Sequence, residues 1–232
     1  MAPVKKAEYD DYINEYRATQ NKQIAIFGET GDFFAEYKVK KLAEWLPGLA
    51  AKPLAVLDYG CGDGLMASYV RRYFSNASVY GVDPSSKSIE QARANHPEVE
   101  FSSAQDVSLP FPSGAMDIVF ASGVFHHIPF AAHRQSADEV FRVLKPGGQF
   151  VLFELNPFNP LTLKVFLTSP FDRNAKLMFP RYSKKFFQNY GDARIKYYAF
   201  FPHMLAYLRP LERYLTKFPI GALYACLVKK QA

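Results

Sequence analysis

The chain has 232 residues, 49% of them hydrophobic and 22% charged, with a formal net charge of +6. That length suits one large α/β domain, or a domain with a modest insertion, with a substantial core. No run of eighteen uncharged apolar residues occurs, and Met1 to Tyr9 carries Lys5, Lys6 and Glu8 where a secretory signal would be apolar; a cytoplasmic protein is expected.

In chain order, Tyr9 to Leu46 reads as two helices separated near Gly28 to Gly31, so residues 1–48 are expected to form a helical cap. From Leu54 onward, short apolar β-rich runs alternate with helical patterns, the sign of a parallel sheet covered on both faces. The expected strands are Leu54 to Asp58, Ser78 to Val82, Val99 to Ser102, Asp117 to Ala121 and Gln149 to Phe153. Helices are expected over Leu65 to Phe74, Ser86 to Asn95 and His133 to Leu144. Residues 54–155 thus form the central α/β part. The turn-rich run Asn156-Pro157-Phe158-Asn159-Pro160 then opens an aromatic, basic stretch, 156–182, that reads as a lid. Residues 183–232 return to the sheet: a helix from Ser183 to Tyr190, a strand at Ile195 to Phe201, a helix around Met204 to Thr216 and a last strand at Leu223 to Val228. One continuous domain is expected.

The charge is uneven. Residues 156–217 hold eleven Lys or Arg against Asp172, Asp192 and Glu212, a local balance of +8 that leaves the remainder at −2. Fourteen Phe or Tyr are interleaved with these cations. Such a lobe is a solvated basic face or a docking place for an anionic partner. Cys61 in a turn and Cys226 in an apolar strand make neither a disulfide framework nor a metal-ligand set, and no metal site is expected.

The chemistry concentrates at the ends of the strands. Leu54-Ala-Val-Leu-Asp-Tyr-Gly-Cys-Gly-Asp-Gly64 runs from an apolar strand into a helix, and Gly60, Gly62 and Gly64 let the backbone turn sharply and a ligand lie against it. A dinucleotide fingerprint would need Gly at position 65, which is Leu. Asp58 beside the turn would repel a pyrophosphate and tolerates a zwitterionic or sulfonium ligand better. Asp83 ends the next strand, where its carboxylate can accept from both ribose hydroxyls, although the same acid would suit a nicotinamide cofactor. Asp106, after the third strand, can accept from an adenine amino group while Val107 packs on the ring.

The ordered motifs Asp58-x-Gly-Cys-Gly-x-Gly64, Val82-Asp83, Asp106, Phe120-Ala-Ser-Gly-Val-Phe-His-His-Ile128 and Leu144-Lys-Pro-Gly-Gly148 resemble class I S-adenosylmethionine-dependent methyltransferases over residues 54–155. The resemblance implies a three-layer Rossmann-like α/β fold of seven strands, mostly parallel with one antiparallel strand, and S-adenosylmethionine across the strands' C-terminal ends. It implies a cofactor-binding set of Asp58, Gly60, Cys61, Gly62, Asp83, Pro84, Asp106, Val107, Ser122 and Gly123. Within that set Gly60 and Gly62 approach the methionine part, Asp83 the ribose and Asp106 the adenine, with Ser122 and Gly123 beneath the sulfonium.

Methyl transfer mainly requires alignment of nucleophile, methyl and sulfur in a dry site; a hydroxyl acceptor also needs a base. His126 and His127 follow the fourth strand and imidazole titrates near neutrality, while Glu154, ending the fifth strand, is a rival base. The expected acceptor is a small or amphipathic molecule, sugar- or lipid-linked, and an anionic one suits the basic lobe. No nucleic-acid-binding module is recognised. Peripheral membrane contact is compatible with the apolar run Tyr197 to Leu208, although Tyr197 to Phe201 reads better as core. The alternatives are a module that binds the cofactor without turnover and an NAD(P)-dependent oxidoreductase on a related fold.

Overall fold

Side chains that alternate between two apolar faces organise the sheet. Val56, Ile118, Phe120, Val151 and Phe153 enter one core cluster, while Leu57, Val119, Ala121, Phe150 and Leu152 enter another. Strands buried on both faces are what a parallel sheet between two helix layers demands. In the computed structural model, which describes residues 16–104 and 107–231, these segments are β1 (Leu54–Tyr59), β2 (Ala77–Asp83), β3 (Glu100–Ser103), β4 (Met116–Ser122), β5 (Leu144–Leu155), β6 (Gly191–Tyr198) and β7 (Leu223–Lys230).

The strand order is β3-β2-β1-β4-β5-β7-β6. β1 to β5 pair in parallel, and β7 pairs antiparallel with both β5 and β6. Six strands therefore share one direction and β7 alone opposes them. The antiparallel strand lies inside the sheet rather than at its edge, which is β6.

α2 (Gly31–Trp45), α3 (Leu65–Tyr73) and α4 (Ser86–Asn95) cover one face through Val39, Leu42, Ala67, Val70, Ile89 and Ala92. α5 (His133–Val143) and α7 (Pro180–Phe187) cover the other through Ala137, Val140, Phe141 and Phe187. Helix starts follow local chemistry. Thr30 accepts from Phe33 N at 3.2 Å, Ser85 from Ser88 N at 3.1 Å, and Asn159 from Leu161 N and Thr162 N at the head of α6 (Pro160–Thr168).

Several boundaries differ from the sequence expectation. α1 (Tyr16–Ile24) and α2 flank a short 3-10 turn, while the expected helical stretch before Tyr16 lies outside the described residues. β5 begins at Leu144 because its register shifts between Met116 and Ile118 on β4 and takes Pro146 to Gly148 into the strand. α7 starts at Pro180, where a missing N–H costs nothing. β6 ends at Tyr198, and Ala199 turns away with φ +57°. The expected helix near Met204 is a 3-10 stretch from His203 to Leu211, broken at Leu205 and containing Pro210, followed by one turn, α8 (Glu212–Leu215). Among the described residues no helix is long and apolar enough to cross a membrane.

Candidate active site

The strand order reverses between β1 and β4, and in open α/β sheets the crevice outside the strand ends at that point is where ligands bind. β1 delivers Asp58 there and passes into the glycine turn that starts α3. Gly60 N and Cys61 N donate to Val82 O at 2.8 and 2.9 Å, tying the turn to the end of β2. Gly62 (φ +54°) and Gly64 (φ +81°) take left-handed backbone that only glycine adopts cheaply. Their surroundings differ: a Cβ at Gly64 would lie 2.5 Å from Phe101 Cζ, whereas one at Gly62 would meet nothing within 4 Å. Gly64 is a packing glycine, and Gly62 faces open space.

Two carboxylates frame that space. Asp83 accepts from Gly62 N through Oδ2 and from Ser85 N through Oδ1, each at 2.9 Å, so it locks the turn to the head of α4. Asp58 is only 2% exposed, and its Oδ2 has no hydrogen-bond partner among the described residues. Burial pushes the Asp58 carboxyl well above the usual range, the Asp83 charge adds to this and Lys38 opposes it. An orphaned carboxylate oxygen at such depth costs free energy unless a donor reaches it.

The loop after β4 forms the facing wall. Ser122 ends the strand, Gly123 follows it, and a 3-10 turn spans Phe125 to His127. His133, fully buried, holds this turn through Nε2, which lies 2.9 Å from both Phe125 O and Ile128 O. His126 Nδ1 lies 2.6 Å from Glu154 Oε2 on β5, while its Nε2 lies 3.3 Å from Asp172 Oδ1. His127 Nε2 reaches the same Asp172 oxygen at 3.4 Å. Burial alone would lower the His126 pKa; the Glu154 charge and the bonds to both carboxylates override it and lift it to about 10. Glu154 is buried, and its Oε1 has no partner among the described residues.

Lys38, in the middle of α2, is a functional candidate that the sequence reading missed. Its Nζ donates to Ser122 Oγ at 2.7 Å. Burial lowers its pKa to about 8, with Arg17 adding to the effect and the Glu154 and Asp58 carboxylates opposing it. No motif marks this lysine; the only sequence cue is a cation among the apolar positions of a cap helix.

The structure brings Asp58, Gly60, Cys61, Gly62 and Asp83 together at one turn, with Ser122, Gly123, His126, His127 and Glu154 across from them. Pro84 is exposed just beyond Asp83. Val107 lines a shallow cleft with Ser108, Arg134 and Asp138 beside α5, none of them in the glycine turn. Asp106 lies outside the described residues.

Sheet order, reversal point and glycine turn define a Rossmann-like fold with a nucleoside-type site. Residues 57–152 match the methyltransferase domain family. The chain is 37% identical over 112 residues to an uncharacterized methyltransferase of Synechocystis sp., covering 48% of this chain and 52% of that one. It is 35% identical over 113 residues to a demethylmenaquinone methyltransferase of Thermus thermophilus, covering 47% and 50%. The chain thus spans about half the length of the curated relatives it matches. An S-adenosylmethionine-dependent methyltransferase structure from Archaeoglobus fulgidus shares the fold, with a TM-score of 0.67 at 16% identity over 89% of this chain and 97% of that one.

Residues 57–152 thus resemble the methyltransferase domain family, on a fold shared with solved S-adenosylmethionine-dependent methyltransferases, and S-adenosylmethionine is the cofactor that this likeness implies. The residues present fit it. The unpartnered Asp58 oxygen suits a ligand ammonium, and the open face of Gly62 admits a chain that any side chain would block.

Proposed function

We propose that this protein transfers the methyl group of S-adenosylmethionine to a small or amphipathic acceptor. The observation that carries this reading is the cradle of Asp58, Gly62 and Asp83 at the sheet's reversal point. In it, Asp58 Oδ2 receives the ammonium of the methionine part, and the Asp83 carboxylate receives the ribose hydroxyls. Gly60 and Cys61 shape the floor, Ser122 and Gly123 form the wall beneath the sulfonium, and Pro84 and Val107 belong to the adenosine side. Bound there, the cofactor supplies a methyl group on a good leaving group; the acceptor's lone pair forms the new bond as the carbon–sulfur bond breaks.

Of the candidate bases, His126 is least suited to take up a proton, because both its nitrogens face carboxylates that hold it charged at neutral pH. Lys38 is better placed. With a pKa near 8, about one amine in ten is neutral at pH 7, and the Glu154 charge nearby steadies the protonated form after a hydroxyl acceptor has given up its proton. His127, half-buried beside Asp172, shapes the acceptor side.

An amphipathic acceptor is supported by the surface of the basic lobe. Met204 is 88% exposed and Tyr207 75%, and both precede Arg213 and Lys217 in the same segment. Demethylmenaquinone, the substrate type named for the Thermus relative, is of this class. Peripheral membrane contact is part of the same proposal. The test is incubation of the protein with methyl-labelled S-adenosylmethionine and fractionated small-molecule, quinone and polar-lipid extracts. Label in an extractable amphipathic product is expected; saturable cofactor binding with no label in any fraction would leave a binding module without turnover.

A further inference from the structure

His126, His127 and Asp172 meet in space although Asp172 lies far along the chain in the segment between α6 and α7. Their donor atoms, two imidazole nitrogens and a carboxylate oxygen, all lie within 4.8 Å of one another. We propose that these three residues form a binding site for a divalent first-row cation of the zinc type, which pins the 169–176 segment to the loop after β4. No such site was expected from sequence spacing, and it goes beyond the methyl-transfer reading.

The distances argue for it. A tetrahedral ion with bonds of about 2.0–2.1 Å to nitrogen and oxygen separates neighbouring donors by about 3.3–3.4 Å. Asp172 Oδ1 lies 3.3 Å from His126 Nε2 and 3.4 Å from His127 Nε2, the edge lengths of such a polyhedron. Octahedral edges at similar bond lengths are shorter, about 3.0 Å, so a four-coordinate ion fits better. Three protein donors leave the fourth position to water or to an acceptor oxygen.

The surroundings supply what such a site needs. Glu154 Oε2, 2.6 Å from His126 Nδ1, fixes the ring so that Nε2 faces Asp172; a carboxylate behind a ligating histidine is the usual orienting partner. With the His126 proton displaced by the ion, the carboxylates of Glu154 and Asp172 balance its two charges. Lys176 N donates to His126 O at 2.8 Å and Ala175 N to Asp172 O at 3.0 Å, so the backbone already holds the carboxylate over the histidines. His127 and Asp172 keep some solvent exposure, which gives an ion a way in.

The test uses Co2+ as a spectroscopic probe and Zn2+ as its competitor, on the full-length protein stripped of metal. One equivalent of Co2+ is expected to produce the intense visible absorption of a four-coordinate site, bleached by Zn2+. Asp172→Asn and His127→Gln should each weaken binding at least tenfold, and Glu154→Gln about 10- to 100-fold. Zn2+ should also slow hydrogen exchange across 169–176 in the wild-type protein, a readout that does not depend on how well any variant folds. Absence of both the absorption and the protection in the wild type overturns the proposal, as does Asp172→Asn binding Co2+ as tightly as the wild type. Neither readout requires S-adenosylmethionine, so failure here is distinct from failure of the methyl-transfer reading.

Discussion

At the scale of single residues, Asp83 and Lys38 do different work. Asp83 holds Gly62 N and Ser85 N at the edge of the cradle. Cofactor present at about 100 times its dissociation constant raises folding stability by about 2.7 kcal/mol. Asp83→Ala is expected to erase most of that shift in a thermal or denaturant melt, and NAD is expected to produce none in the wild type. Lys38 gives a pH signature instead. Its folded pKa of about 8 lies below that of a solvated lysine, so between about pH 8 and 10 the unfolded chain binds the extra proton and the native state gains stability as pH rises. Relative to Lys38→Met, the wild type should therefore gain up to about 1.4 kcal/mol per pH unit across that window in urea titrations. If Lys38 also takes the acceptor's proton, the same variant loses methyl transfer while keeping cofactor affinity; parallel pH–stability curves for the two proteins would contradict its buried placement.

At the scale of elements, the β1–α3 turn separates packing from binding within three residues. Gly64→Ala combines left-handed backbone with a 2.5 Å approach to Phe101 and should cost the apo fold about 2 to 4 kcal/mol. Gly62→Ala meets no protein atom, so its cost should stay near 1 to 2 kcal/mol from the backbone alone, yet its Cβ intrudes on the open face and should weaken cofactor binding at least tenfold. Equal losses of stability, with cofactor affinity intact in Gly62→Ala, would show that the open face is not the binding face. The turn was legible in the sequence because all its determinants are local: an apolar strand, three glycines and an acid one strand later. The facing wall was legible as far as His126, in the turn after β4, and Glu154, next to the end of β5. Lys38 was not, since nothing within α2 says what packs above it. Nor was Asp172, because the union of a lid segment with the β4 loop is a long-range contact. The insertion of β7 between β5 and β6 was hidden for the same reason: apolar alternation fixes which strands are buried but not their order.

At the scale of the molecule, basic charge and exposed apolar surface coincide in the C-terminal lobe. The segment from His203 to Ile220 exposes Met204, Tyr207, Leu211, Tyr214, Phe218 and Ile220, with Arg213 and Lys217 among them. Part of the local charge is already spent: Arg209 pairs with Glu29 and stacks over Phe33 at 4.5 Å, and so serves the fold. The remaining pattern, aromatic and aliphatic groups beside unburied cations, is what holds a protein at an anionic lipid surface, where each nearby cation contributes about 1 kcal/mol and apolar side chains add the rest. Sedimentation with phosphatidylglycerol vesicles is expected to exceed that with phosphatidylcholine vesicles at low salt. The difference should shrink as ionic strength rises from 0.1 to about 1 M and the screening length falls from about 10 to 3 Å. Replacing Met204, Tyr207 and Leu211 together by Ser should reduce sedimentation while leaving cofactor-induced stabilisation unchanged, because all three side chains are exposed and none belongs to the cradle of Asp58, Gly62 and Asp83. A protein that ignores anionic vesicles at low salt would place its acceptor among soluble metabolites, reached without a surface to dock on.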